Sequence, residues 1–382
     1  MLPSYILRLN RSILLIGSIG LFFLSCGSQQ GSANKDLLLA LAASGQNDKI
    51  GESLSSAFDS VSSSMEGLSG EGASVALYGE ESGLTERFAS SLQRFWLKGP
   101  DTGLEAYDFS FNCWGGGDYQ RQVVSTGATN YDFIDYVIDH SRSPSSSFYA
   151  SKTFDHCRFL PFTSWVIDGK TENIWSGLSS SQPFVQSGSS LQIGVDRTLE
   201  NSSRGRKIQV TGTGAALSYG AGSPSTQQAY SLTWTGVSSG ISFYSQDVSV
   251  LRVGYSGADL VYSHSVTSPS SLQYGVDRSS SNPLSWYRLW GGGSLQVVHT
   301  GAENFTLVTT VDSPVKWKYV DCLPSSGQVS FTLSGDLTGT GVVNFQNGVG
   351  NYSYTYTDAD GNSKSSSGSV DFSSCGVPLV VL

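Results

Sequence analysis

The sequence is short of charge. Asp, Glu, Lys and Arg make up 14% of its 382 residues, too few for long solvated helices or an acidic disordered tail. Its only basic cluster is Arg204, Arg206 and Lys207, which is too small for a nucleic-acid footprint. The formal charge of −9 disfavours electrostatic docking on anionic lipids. There is no His-Glu-x-x-His, no phosphate-binding glycine loop and no Cys-x-x-Cys, so zinc-protease, nucleotide and redox chemistry have no signature. Histidine is scarce: His140, His156, His264 and His299 are the four, and spacing gives none of them a nucleophile partner. No enzyme activity, cofactor or metal is expected. What the chain does have is 44 glycines and 12% aromatics, which suits a Gly/Ser/Thr-rich β protein.

Two duplications organise it. Gln122-Val123-Val124-Ser125-Thr126-Gly127-Ala128 recurs at Gln209–Ala215 and at Gln296–Ala302, spaced 87 residues apart each time (209 − 122 and 296 − 209). Self-similarity at a fixed period indicates repeated structural units. Gln-Val-x-x-Thr reads as a strand, and Gly-Ala ends it in a turn. Period two puts Val123, Val210 and Val297 on one face, with Ser125, Gly212 and His299. The glycines Gly127, Gly214 and Gly301 are expected where positive φ or close backbone approach is needed. The second duplication, Ser189–Arg197 against Ser270–Arg278, matches at eight of nine positions with a spacing of 81 (270 − 189).

Residues 1–25 read as a leader. Arg8 and Arg11 precede an apolar run from Ile13 to Leu24, short for a membrane span but right for a secretory signal. It ends in Phe23-Leu24-Ser25-Cys26. This resembles a bacterial lipoprotein leader of the spirochaete type, with Phe23 where Leu is usual. The resemblance implies that Cys26 is acylated and becomes the mature N-terminus, so that acyl chains tie the protein to the envelope, at the outer membrane. Single acyl chains anchor weakly, and the lipoprotein pathway supplies more than one.

Beyond Cys26 the cysteines are Cys113, Cys157, Cys322 and Cys375, an even count that reads as two disulfides in an exported chain. Local pairing, Cys113–Cys157 and Cys322–Cys375, is the first choice. Similar flanking residues at Cys113 and Cys375 leave Cys113–Cys375 open.

After a tether, Ile50, Leu54, Phe58, Val61 and Met65 predict a helix over 48–66, and Phe88, Leu92, Phe95 and Trp96 a second over 84–97. From residue 102 the period is two, as in Val329-x-Phe331-x-Leu333 and Tyr352-x-Tyr354-x-Tyr356, the habit of antiparallel sheets with one buried face. Asn347-Gly348, Asp358–Gly361, Ser223-Pro224 and Ser313-Pro314 read as turns. The fold class is therefore mainly β: repeated antiparallel sheets, either merged into a barrel or half-barrel or arranged as tandem sandwiches, with a small N-terminal helical part. The expected segments are a signal peptide (1–25), tether and helices (26–101), and β units at 102–187, 188–269 and 270–382. Merging is favoured, because it covers the helical stripes and the edge strands together.

Candidate chemistry is thin. Asp132, Asp135, Asp139 and His140 could hold a cation or form an acid/base pair, but a strand with acidic outer positions is the plainer reading. The doublets Asp196-Arg197 and Asp277-Arg278 read as structural pairs. Trp286, Tyr287, Arg288 and Trp290 form the candidate binding surface, aromatic enough to stack a glycan or a peptide. The expected role is a non-catalytic structural or adhesin-like one at the envelope, with a carrier of an apolar ligand in a β cavity as the alternative and a hydrolase third.

Overall fold

In the computed structural model the described residues are 48–68, 109–113, 115–125, 146–158, 165–178, 190–220, 222–239, 241–277, 287–318 and 324–370. The leader, Cys26, the tether, the expected second helix, the Tyr131–His140 stretch, Cys322 and Cys375 lie outside them. The chain divides into Met1–Lys49 and Ile50–Leu382, and all but two of the described residues belong to the second unit.

Among the described residues one helix, α1 (Lys49–Leu68), precedes fifteen strands. These are β1 (Phe109–Asn112), β2 (Asp118–Ser125), β3 (Ser146–Cys157), β4 (Trp165–Leu178), β5 (Ser190–Asn201), β6 (Arg206–Gly212), β7 (Gln228–Ser238), β8 (Ile241–Ser256), β9 (Asp259–Asp277), β10 (Tyr287–Thr300), β11 (Phe305–Lys318), β12 (Ser326–Gly335), β13 (Thr338–Gln346), β14 (Val349–Thr357) and β15 (Ser363–Ser369). All join one antiparallel sheet in chain order, so of the two architectures the merged sheet is the one formed. The boundary expected at 269–270 falls inside β9.

The order breaks once. β6 pairs with the far half of β5 (Asp196↔Thr211) and β7 with its near half (Ser190↔Thr233), while both also pair with β8. β6 and β7 thus share one lane, interrupted by an excursion over residues 213–227. Gly212 stands where the chain leaves the lane. An added Cβ there would come within 2.1 Å of the Gln227 carbonyl, so only glycine fits.

The lane sharing decides what the duplication means. The first four residues of all three copies are on strands: β2, β6 and β10. Four antiparallel steps separate β2 from β6, but only three separate β6 from β10, so the third copy runs the opposite way. The expectation of equivalent positions therefore fails for it. What the second and third copies share is burial by parity. Val210 and Val297 face inward at 3% and 0% exposure, as do Gly212 and His299. The side chain of Val123 lies outside the described residues. In the second duplication Leu191, Ile193 and Val195 point inward, and so do Leu272, Tyr274 and Val276. Of the repeated glycines, Gly214 is held by close approach to the Gln228 carbonyl rather than by positive φ.

Helix α1 fills the inner face. Ile50, Leu54, Phe58 and Val61 are buried as the periodicity predicts, but Ser53, Ser56, Asp59 and Ser60 on its other side are buried as well. Small residues make this enclosure feasible, and the Ser55 and Ser60 hydroxyls donate back to the carbonyls of Gly51 and Ser56. Phe58 meets Trp290 of β10 and Phe345 of β13, with ring centroids 6.1 and 4.9 Å away, while the adjacent Asp59 bonds Arg252 of β8. Five strand steps separate β8 from β13, about 24 Å in a flat sheet. Neighbouring residues of one helix cannot span that, so the sheet curls round α1.

Turns follow local chemistry. Asn347 and Gly348 both have positive φ, the requirement of a tight hairpin. Ser313-Pro314 is not a turn. It lies inside β11 at a register slip, where a residue without an N–H is tolerated.

Candidate functional site

The expected binding surface is largely interior. Trp290 is fully buried against Phe58, its indole N–H donating to the Gly292 carbonyl, and Arg288 is 5% exposed. The correction has a simple cause. Even-numbered residues at this end of β10 face inward, so aromatic content here serves the core. Tyr287 is half-buried, with the Lys316 ammonium 5.4 Å from its ring centre and Asp277 as a hydrogen-bond partner. Trp286 and Arg278 lie outside the described residues. Asp196 is exposed while Arg197 points inward, so that doublet straddles the sheet and cannot act as one clamp. Asp358 closes the β14–β15 turn, accepting from the backbone of Asp360 and Asn362 and pairing with Lys364. Cys113 and Cys157 are joined, as local pairing predicted.

Among the described residues three constellations bring titratable groups together. The first is inside. Ser56 Oγ lies 2.7 Å from His264 Nδ1, and His264 Nε2 lies 3.2 Å from Ser53 Oγ and 2.9 Å from His299 Nδ1. Tyr262 stacks on His264 and Phe305 on His299. A hydroxyl against an imidazole is the contact of an activated nucleophile. Here, however, Ser53, Ser56, His264 and His299 are each at most 2% exposed, and His264 is oriented by a second imidazole. Burial, then the neighbouring His299 and Arg252, push the His264 pKa well down, so it stays neutral. With the Arg252–Asp59 pair at 2.8 Å, this cluster stitches α1 to β8, β9 and β10. His299 was legible from parity. The Ser53 and Ser56 contacts, more than 200 residues away in sequence, were not.

The second lies on the outer face, where the 213–227 excursion packs on β3 and β4. Leu217 and Tyr219 cover Tyr149 and Ile174. Glu172, at 0% exposure, accepts from Tyr149 Oη, Lys170 Nζ, Thr226 Oγ1 and the amides of Ser225 and Thr226. Burial pushes its carboxyl up, but these donors outweigh burial and bring it to about 2. Burial and the Glu172 carboxylate raise the Tyr149 phenol.

The third is exposed. Between Phe154↔Gly169 and Cys157↔Ile167 the β3–β4 register slips, so Asp155 and His156 bulge over Asp168. His156 Nδ1 lies 2.8 Å from Asp155 Oδ1 and 3.2 Å from Asp168 Oδ1, and the His156 amide donates to Asp168 at 2.6 Å. The hydrogen bond to Asp155, with Asp168 nearby, raises the His156 pKa. Spacing along the chain gave His156 no partner, because Asp168 belongs to the next strand.

Gly236-Val237-Ser238-Ser239-Gly240 has the spacing of a nucleophile elbow. It joins β7 to β8, a strand-to-strand hairpin, whereas an elbow needs a strand-to-helix turn. No family model, no curated protein and no solved structure matches this chain.

Proposed function

We propose that this is a lipid-anchored protein of the bacterial cell envelope, held at the outer membrane through Cys26, whose sheet has a non-catalytic structural or adhesin-like binding role. The observation that carries this reading is the polarity of the sheet. Val329, Phe331, Leu333, Tyr352 and Tyr354 face inward, while Ser330, Thr332, Ser334, Asn351, Ser353 and Thr355 face outward. A membrane-spanning barrel has the reverse arrangement, with apolar residues toward lipid. Among the described residues no helix is long and apolar enough to cross a membrane. A water-facing sheet that belongs to a membrane needs a separate anchor, and Phe23-Leu24-Ser25-Cys26 supplies one.

The carrier alternative has less support, since α1 occupies the inner face that an apolar ligand would need. The hydrolase reading has less again, since the Ser56–His264 contact is sealed. A protein or glycan ligand would meet the polar outer face, where Tyr287 is the accessible remnant of the expected aromatic surface.

Detergent phase partitioning tests the anchor. The native protein is expected in the detergent phase and Cys26→Ala in the aqueous phase. If Cys26→Ala still enters detergent, attachment runs through something other than Cys26.

A further inference from the structure

We propose that Asp155, His156 and Asp168 form a binding site for a divalent first-row transition-metal ion, best matched by Zn²⁺. Zinc takes imidazole nitrogen and carboxylate oxygen at about 2.0–2.2 Å, which puts neighbouring tetrahedral donors about 3.3 Å apart. Here the imidazole Nδ1 is 2.8 and 3.2 Å from the two carboxylate oxygens, and one atom from each of the three residues lies within 4.8 Å of the others. The three donors therefore converge without any backbone movement.

The convergence is built into the chain. The bulge places two successive β3 residues opposite one residue of β4. Cys157, immediately after His156, is tied to Cys113. The Cys113–Gly117 loop clips the same point from both sides: the Gly115 amide donates to the Arg158 carbonyl, and the Arg158 amide donates to Gly116. Gly117 packs so closely that an added Cβ would come within 2.1 Å of the His156 carbonyl. His156 itself holds φ at +48°, a left-handed conformation that few non-glycine residues adopt.

Charge points the same way. Glu200 adds its field to that of Asp155 and Asp168, and among the described residues no Lys or Arg pairs with either aspartate. Two carboxylates and an imidazole are a donor set that a divalent metal ion can hold together. One nitrogen with two oxygens suits zinc and its neighbours, whereas calcium and magnesium prefer an all-oxygen shell of six or more. Side-chain exposures of 79%, 75% and 31% leave the remaining coordination position open to water or to a donor from another molecule.

The test is calorimetric titration of the full-length protein in detergent with ZnCl₂ at neutral pH, after removal of metals by chelator. One Zn²⁺ per chain is expected. His156→Asn, chosen because asparagine tolerates positive φ, and Asp168→Asn, which keeps the acceptor for the His156 amide, should each weaken binding by at least about tenfold. His156 is exposed and Asp168 partly so, and Asn at 168 keeps the acceptor for the His156 amide, so their melting temperatures without metal should stay near that of the native protein. His140→Ala, in the separate Asp132–His140 stretch, should change nothing. Absence of saturable binding would overturn the proposal. So would binding unchanged in both Asn variants, loss only in His140→Ala, or equal binding of Ca²⁺ or Mg²⁺.

Discussion

At the scale of single residues, burial and hydrogen bonding set charge states that solution pH can reach. Glu172 has a depressed folded pKa, about 2 against an ordinary value of 4.5. Its contribution is therefore fully present above pH 4.5 and is lost as pH falls through about 2. The shift corresponds to something on the order of 3 kcal/mol. Glu172→Gln should lower the melting temperature at neutral pH, and the gap from the native protein should close between pH 4.5 and 2. A gap that is constant over that window would mean that the carboxylate's charge is not what holds the excursion. Val210 makes the complementary case for parity. Val210→Asp buries an unpaired charge and should destabilise by roughly several kcal/mol in denaturant titration. Val349→Asp, at a valine 46% exposed, should cost little.

At the scale of elements, α1 and the β6/β7 lane show what the sequence made legible. The helix was readable from Ile50, Leu54, Phe58 and Val61, because an apolar stripe at three- and four-residue steps has few other uses. The strands and their inward faces were readable from period two, which is why Val210, Val297 and His299 fall where expected. Parity is local, and each residue's face follows from its neighbours. Lane sharing is not. That β6 and β7 occupy one strand position depends on an excursion held by Glu172, on a different element. This single departure reverses the third copy of the duplication and removes the expected symmetry. Trp290 misled for a related reason, since aromatic density alone does not say which face of a strand it serves. The metal-ligating set was hidden because its third member comes from the adjacent strand.

The buried Arg252–Asp59 pair fixes where α1 stands against β8. Asp59→Leu should cost roughly 3–5 kcal/mol, because it removes the carboxylate paired with a buried guanidinium, while adding Arg252→Met should recover much of the loss. Chemical denaturation of the two single variants and the double variant measures this. Additive losses would show that the two side chains do not act as a pair.

At the scale of the whole molecule, the sheet of the described residues curls round α1, turns its apolar residues inward and presents serine, threonine and asparagine outward. A disulfide pins the bulge at one end of it, where Asp155 and His156 stand clear of the surface. The sealed Ser56–His264 contact, the proposed water-facing exterior and the need for a separate anchor all depend on α1 being enclosed. Hydrogen–deuterium exchange read by mass spectrometry tests that enclosure most directly. The amides of Ile50–Ser62 should exchange as slowly as those of β8 to β12, because opening the helix requires opening the sheet. Exchange of that segment within seconds, with the strands still protected, would contradict the account.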